Sequence, residues 1–276
     1  MRPADDALPL RHAVALGLLQ GPTELLPVSS SAHTTLLPWL AGWTYLELDP
    51  RARKSFELAL HAGAGLALAL ELRTPPAGGD GLPDRRRAGL LALSCAPPAL
   101  AAALWRGTIE RRLGGPRSIA VALAAGAVLM ALADTLPAGG GQRRSEQAGA
   151  GDGLALGLAQ ALALIPGVSR SGATLTAARS RGFRRADAHS LSWEVALPVI
   201  LGASLVEACR LVGAGARGAP ARTLLAAGGT SFLATALSAR ALRRGRYRDR
   251  PLLPYSIYRC ALAAAVAVRR RRAAGV

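Results

Sequence analysis

Two short stretches of this chain carry the residues that could do chemistry. The first reads Gln20-Gly21-Pro22-Thr23-Glu24-Leu25-Leu26-Pro27-Val28-Ser29-Ser30-Ser31-Ala32-His33. Gln20 and Glu24 are four apart, so a helix puts them on one face. His33 is a titratable donor or acceptor close by in sequence. The hydroxyls of Ser29 to Ser31 are potential nucleophiles or donors to a phosphate. The second stretch reads Pro166-Gly167-Val168-Ser169-Arg170-Ser171-Gly172-Ala173-Thr174. Pro-Gly marks a turn, and Ser-Arg-Ser then sets a guanidinium between two hydroxyls where an apolar segment begins. A helix N-terminus is an anion site, and Arg adds bidentate recognition of phosphate oxygens. Together the stretches offer a carboxylate able to hold a metal, a nucleophile, an acid/base and an oxyanion clamp. That set suits hydrolysis of a phosphoanhydride at a bilayer surface. Plainer roles are open for each part: Glu24 pairing with Arg170, serines bonding back to helix carbonyls, and His33 as a structural hydrogen-bonding residue.

The elements that must position these residues follow from the distribution of charge. The chain has 276 residues, 34 Lys+Arg against 17 Asp+Glu, and a formal net charge of +17. Its hydrophobic fraction of 51% excludes disorder, and three cysteines form no disulfide framework. The basic residues, nearly all Arg with Lys54 the single Lys, sit in short clusters such as Arg85 to Arg87, Arg143–Arg144, Arg179 to Arg185 and Arg269 to Arg272. Between them run apolar blocks, as loops punctuate transmembrane helices. Six blocks have spanning length: 56–72, 88–105, 118–137, 190–209, 223–242 and 252–268. Two more, 13–40 and 153–178, are broken by Pro and polar residues at the two chemical stretches. They suit re-entrant helix–loop–helix segments, whose irregular backbone must face protein or water. The fold expected is all-α: a single integral membrane domain of six transmembrane helices plus two re-entrant segments. The Arg clusters read as solvated or headgroup-facing loops. Cys95, Cys209 and Cys260 read as small packing residues.

The chain repeats itself. Residues 15–36 align without a gap on 155–176, where Ala15, Leu16, Gly17, Leu18, Gln20, Val28, Ser29, Ser31 and Thr34 meet identical residues. Ser55, Glu57, Ala59 and Leu60 likewise meet Ser192, Glu194, Ala196 and Leu197. Glu57 and Glu194 therefore do symmetric work, such as bracing loops, while His61 and Glu71 are placed to line a cavity. Each half is one interrupted block followed by three spans, over 8–138 and 150–270. Three crossings invert the second half, and a pseudo-two-fold axis then brings the two interrupted loops together. Leaving out Arg170 and Arg259 as intramembrane, the basic residues divide equally between the two sides, so the positive-inside rule gives no orientation.

At these two loops the sequence resembles the undecaprenyl-diphosphate phosphatases, the bacitracin-resistance proteins of bacterial cell-wall synthesis. Their first signature stands here as Gln20 to Glu24, Leu26 to Ser30, and His33. Their second is present in full as Pro166 to Thr174. The likeness extends to Ser55–Gly65, Ala196-Leu197-Pro198 and Pro254–Arg259. It implies hydrolysis of undecaprenyl diphosphate to undecaprenyl phosphate and phosphate in the bacterial inner membrane, at a site open to its outer face, with a divalent cation, Mg²⁺ or Ca²⁺. Carried over by position, Glu24 with Gln20 would hold the metal, Ser30 would be the nucleophile and His33 the acid/base. Arg170 with Ser29, Ser169, Ser171 and Thr174 would bind the pyrophosphate. The chain departs from the pattern at Gln20, where Glu also occurs, at His61, where Gln is expected, at Ala32 and at Glu71.

The competing reading is a polyprenyl-phosphate transporter or flippase, because inverted repeats with re-entrant loops are transporter architecture. A transporter needs the Arg clamp but not the Ser30–His33 pair. The expected partners are a polyprenyl diphosphate lipid, the bilayer and a second copy of the chain as a homodimer. Nucleic acid is excluded, because the Arg clusters alternate between sides and form no single stripe.

Overall fold

The computed structural model describes residues 8–72, 85–213, 219–244 and 246–273. Residue 245, inside the arginine cluster expected over 240–250, lies outside them. The described residues form ten α-helices and no β-strand. They are α1 (Leu10–Leu25), α2 (Ser30–Ala41), α3 (Pro50–Leu72), α4 (Arg85–Leu113), α5 (Pro116–Thr135), α6 (Ala150–Leu162), α7 (Arg170–Ser180), α8 (Arg185–Gly213), α9 (Ala221–Arg244) and α10 (Leu253–Ala273). Each of the six apolar blocks coincides with one helix: α3, α4, α5, α8, α9 and α10. Each interrupted block is a pair of shorter helices, α1–α2 and α6–α7, broken where the Pro and polar residues stand.

Among the described residues, α4, α5 and α8 are long and apolar enough to cross a bilayer. Their most apolar windows are only 22%, 39% and 17% buried by the rest of the protein. Leu104, Val121 and Leu205 point outward with more than half of their surface free. Apolar faces this large need an apolar medium. Helices α3, α9 and α10 have the length but fall outside that set; α3 carries Arg51 to Lys54, Glu57 and Glu71, and α10 carries Arg259 and Arg269 to Arg272.

The chain forms two compact units, and each takes segments from both sequence halves. Unit 1 comprises Met1–Leu25, His33–Thr74 and Leu197–Arg244, and unit 2 comprises Leu26–Ala32, Pro75–Ala196 and Gly245–Val276. Unit 1 packs α1 and α3 on α9 around Leu16, Tyr45, Phe56, Leu60 and Ala227. A Cβ on Gly21 would stand 2.3 Å from the carbonyl carbon of Ala234, so the α1 and α9 backbones touch only because Gly21 has no side chain. Unit 2 packs α4 on α6 and α5 on α7 and α10, around Leu90, Met130, Leu156, Leu175, Phe183 and Val195. There a Cβ on Gly157 would meet the Leu93 carbonyl oxygen at 2.6 Å. Gly17 and Gly157 are matched positions of the repeat, and the helices bearing them use the same close approach.

Two of the arginine clusters are not the solvated loops expected from sequence. In unit 2 the buried carboxylate of Asp134, at the end of α5, accepts from Arg179 Nε at 3.0 Å, Arg185 Nε at 2.8 Å and the Leu252 N–H at 2.9 Å. Asp152, in the first turn of α6, accepts from Arg143 Nη2 and the Gly149 N–H, each at 2.9 Å, and from Arg181. A buried carboxylate needs such partners, so Arg143, Arg179 and Arg185 are drawn in from these clusters, while Arg144, Arg181 and Arg184 stay exposed. The cysteines also differ from expectation: Cys95 is half-buried, but Cys209 and Cys260 are exposed, on the outward faces of their helices. The repeated glutamates do brace their surroundings. Glu57 accepts from the Tyr45 hydroxyl at 3.4 Å and pairs with Lys54, and Glu194 on α8 pairs with Arg87 on α4.

Gly157→Ala should force α4 and α6 apart, costing about 1–3 kcal/mol, and lower the melting temperature in detergent. Asp152→Asn tests the second network. Burial works to raise the Asp152 carboxyl, but the bonds from Arg143, Arg181 and Gly149 outweigh it and hold the pKa at about 2. A depressed carboxyl contributes stability above its unfolded value and loses it as pH falls through the folded one. The contribution is on the order of 2 kcal/mol at neutral pH before solvent screening at the partly exposed arginines. Wild type should melt above Asp152→Asn at pH 7, and the gap should close between pH 4 and pH 2.

Candidate active site

In unit 2 the two interrupted loops lie against one another. The turn Leu26–Ser29 precedes α2, and the turn 163–169 precedes α7. The Ser171 hydroxyl donates to the Leu26 carbonyl at 2.9 Å, and the Gly167 N–H approaches the Ser31 hydroxyl at 3.5 Å. Each loop is closed by the same device. Ser169 caps α7, its Oγ accepting from the Gly172 N–H at 3.1 Å and lying 3.1 Å from Ser171 Oγ. The matched Ser29 Oγ accepts from the Ala32 N–H at 3.4 Å and lies 3.3 Å from Ser31 Oγ. Ser30 and Arg170 are thus the first residues of α2 and α7. Both are half-buried, which leaves them reachable, whereas Ser29, Ser169 and Ser171 are buried.

The backbone is strained where it serves this arrangement. Ser29 has φ 75°, the only non-glycine in the left-handed region among the described residues. That conformation costs a residue with a Cβ about 1–3 kcal/mol and persists only where the surroundings hold it. It turns the chain sharply into α2 at Ser30. In the second loop Gly167 has φ 99°, and a Cβ there would meet the Ile119 carbonyl oxygen at 2.3 Å. Only glycine fits between the loop and α5.

Gln20, Glu24 and His33 belong to unit 1. Gln20 and Glu24 share a face of α1, where Gln20 Nε2 donates to Glu24 Oε2 at 3.0 Å. On α3, His61 Nδ1 lies 3.3 Å from Gln20 Nε2 and 3.7 Å from Glu24 Oε2. Gln20 is fully buried, and its Oε1 has no hydrogen-bond partner. Among the described residues no group of three or more His, Cys, Asp and Glu is set to hold a metal. A half-turn of the Gln20 amide would set its partnerless Oε1 beside the Glu24 carboxylate, a hard oxygen pair that fits an added cation. His33 is buried on α2, one helical turn beyond Ser30. Glu71 lies away from this face and pairs with Arg240 of α9.

Two contacts near the second loop were not read from the sequence, which set Arg259 apart only as intramembrane and placed Thr174 among the pyrophosphate-binding residues. Arg259 of α10 is almost fully buried, and its Nη2 donates to the Gly167 carbonyl at 3.4 Å. The bare faces of Gly126 and Gly172 make room for its guanidinium, since a Cβ on either would lie within 2.7 Å of it. Arg259 therefore holds the loop from below. Thr174 is fully buried, with its hydroxyl 2.7 Å from that of Ser192 on α8. A buried Arg in an apolar segment was the one available signal; nothing in local sequence pairs Thr174 with Ser192.

Ser171→Ala removes the bond to the Leu26 carbonyl, a half-buried acceptor whose loss of partner costs about 1 kcal/mol or more. Amide exchange across 26–32 and 166–172 should quicken together. Quickening confined to 166–172 would mean that the two turns do not hold one another.

Comparison with known proteins agrees with the motifs. The family model described as bacitracin resistance protein BacA matches residues 13–265. An undecaprenyl-diphosphatase of Geobacter sulfurreducens is 37% identical over 251 residues, covering 85% of this chain and 90% of that protein. One from Pelobacter propionicus is 36% identical over 273 residues, covering 93% and 96%. One from Geobacter metallireducens is 40% identical over 213 residues, covering 73% and 76%. A match over nearly the whole length, with both loop motifs inside it, places this chain in the bacitracin resistance protein BacA family.

Proposed function

We propose that this protein hydrolyses undecaprenyl diphosphate to undecaprenyl phosphate and inorganic phosphate, recycling the lipid carrier of cell-wall synthesis and so conferring bacitracin resistance. The observation that carries the reading is the pair of interlocked turns. They start α2 at Ser30 and α7 at Arg170, and each start is a ready anion site. The relatives named above carry the same activity in their names. The Ser30 hydroxyl attacks the terminal phosphorus, and the bond from that phosphorus to the bridging oxygen breaks. Undecaprenyl phosphate leaves, and water then releases phosphate from Ser30. His33 takes the hydroxyl proton and returns it. Arg170 holds phosphoryl oxygens as charge shifts to the leaving group, while Ser29, Ser169, Ser171 and Thr174, expected to bind the pyrophosphate, are buried and shape the two helix starts that present it. Glu24 and Gln20 would hold a divalent cation, Mg²⁺ or Ca²⁺, which when bound would supply positive charge to the diphosphate.

The lipid tail needs an apolar surface. In unit 1 a cavity of about 510 Å³ is lined by Leu16, Leu19, Leu37, Leu40 and Trp43. Trp43 is held flat against His12, ring centres 3.8 Å apart. Leu19 precedes Gln20, so this surface leads along α1 toward the carboxylate. We place the chain in the bacterial inner membrane, with α3, α4, α5, α8, α9 and α10 spanning and the pairs α1–α2 and α6–α7 re-entrant, open to the outer face. The inverted repeat is supported by packing: α1 lies on α9, and its counterpart α6 lies on α4, the counterpart of α9.

Phosphate release from undecaprenyl diphosphate by the detergent-purified protein tests the reading. Turnover should fall with EDTA and return with Mg²⁺ or Ca²⁺. Arg170→Lys should lose roughly 10²-fold, and Ser30→Ala roughly 10³-fold or more. No turnover by wild type would sink the enzyme reading. Equal turnover by Ser30→Ala and wild type would move the attack from Ser30 to water.

A further inference from the structure

We propose that His61 is a ligand of the cation site. With the Glu24 carboxylate and the Gln20 amide oxygen it makes a mixed nitrogen–oxygen site that accepts borderline divalent ions such as Mn²⁺ and Zn²⁺ as well as Mg²⁺ or Ca²⁺. This rests on the reading that Gln20 and Glu24 hold a cation, and it adds His61 of α3 to that site.

Three observations lead there. The first is spacing. Glu24 Oε2, the Gln20 amide and His61 Nδ1 form a triangle with sides of 3.0, 3.3 and 3.7 Å. Neighbouring ligands of one ion with bonds of about 2.0–2.3 Å lie roughly 3.0–3.7 Å apart. The second is the state of Gln20. It is fully buried, its Oε1 meets no donor, and its Nε2 faces both other groups. A half-turn of the amide exchanges the two atoms. As placed, Nε2 points to both acceptors; with a cation bound, the half-turn would set Oε1 beside the carboxylate oxygen and the imidazole nitrogen and give the ion three lone-pair donors. The third is access. The His61 side chain is 42% exposed, whereas Glu24 is 5% exposed, so His61 gives an ion a route to the buried carboxylate.

The chemistry of the three groups points the same way. Glu24 supplies one anionic oxygen, Gln20 a neutral amide oxygen and His61 an imidazole nitrogen. Imidazole favours Zn²⁺ and its neighbours in the transition series, whereas carbonyl and carboxylate oxygens favour Mg²⁺, Ca²⁺ and Mn²⁺. The imidazole moves the site from purely hard toward borderline.

Mn²⁺ bound to the full-length protein in detergent reports the ligands directly. Electron spin-echo modulation should show an imidazole ¹⁴N coupled to one bound Mn²⁺. His61→Gln should lose that modulation while still binding Mn²⁺, and Zn²⁺ should displace Mn²⁺ about tenfold less effectively from His61→Gln than from wild type. An unchanged elution profile and melting temperature would show that His61→Gln is folded. Mn²⁺ that binds wild type, is lost in Glu24→Gln, and shows no ¹⁴N modulation overturns the His61 proposal and leaves the cation reading standing. Modulation that persists in His61→Gln overturns it equally, by assigning the nitrogen to another group. Absence of Mn²⁺ binding, or binding unchanged in Glu24→Gln, overturns both.

Discussion

A helix broken among apolar surroundings leaves N–H and C=O groups that must find partners inside the protein. This chain breaks two helices, at Leu26–Ser29 and at 163–169, and each break supplies part of what the other lacks. Ser171 reaches the carbonyl of Leu26, and the N–H of Gly167 reaches Ser31. Serine caps satisfy the first amides of α2 and α7. The breaks are therefore stable only as a pair, and their juxtaposition sets Ser30 and Arg170 at adjacent helix starts. The rest of unit 2 follows from holding that pair: Gly167 lets α5 approach, and Arg259 supports the second loop where Gly126 and Gly172 leave space.

Charge is handled by the same rule. Burying a carboxylate is tolerable when several donors surround it. Asp134 ties the ends of α5 and α7 to the start of α8, and Asp152 ties the start of α6 to Arg143 and Arg181. These networks stand at helix ends and join elements remote in sequence. A large positive net charge thus resolves into arginines with structural duties, arginines at helix termini, and one arginine, Arg170, at the head of α7, where the proposed function gives it an anion to meet.

The chemical groups divide between the units. Unit 1 holds the oxygen and nitrogen donors suited to a cation, Gln20, Glu24 and His61, beside an apolar surface. Unit 2 holds the hydroxyls and the guanidinium suited to phosphoryl oxygens. Phosphoanhydride hydrolysis needs both kinds of group, because the substrate is anionic before reaction and charge moves to the leaving oxygen during it.

By itself the sequence determined that the chain is helical, where the helices run, and which loops hold the candidate groups. Those properties are local: apolar run length sets a helix, Pro and Ser clusters break it, and Gln20 and Glu24 share a face through helical periodicity alone. The repeat was visible because matched polar residues stand out from an Ala/Leu background. Other features were decided only by tertiary structure. Asp134 looks like a stray charge near the end of an apolar block until Arg179 and Arg185 arrive from α7 and α8. Arg259 looks like a lone buried cation until Gly167 and Gly172 come beside it. His61 joins Glu24 only because α3 packs near α1. Cys209 and Cys260 were read inward from their apolar surroundings, yet they face outward. In a bilayer protein apolar residues cover the outside as well as the core, so hydrophobicity no longer distinguishes the two, and only packing assigns each side chain its direction.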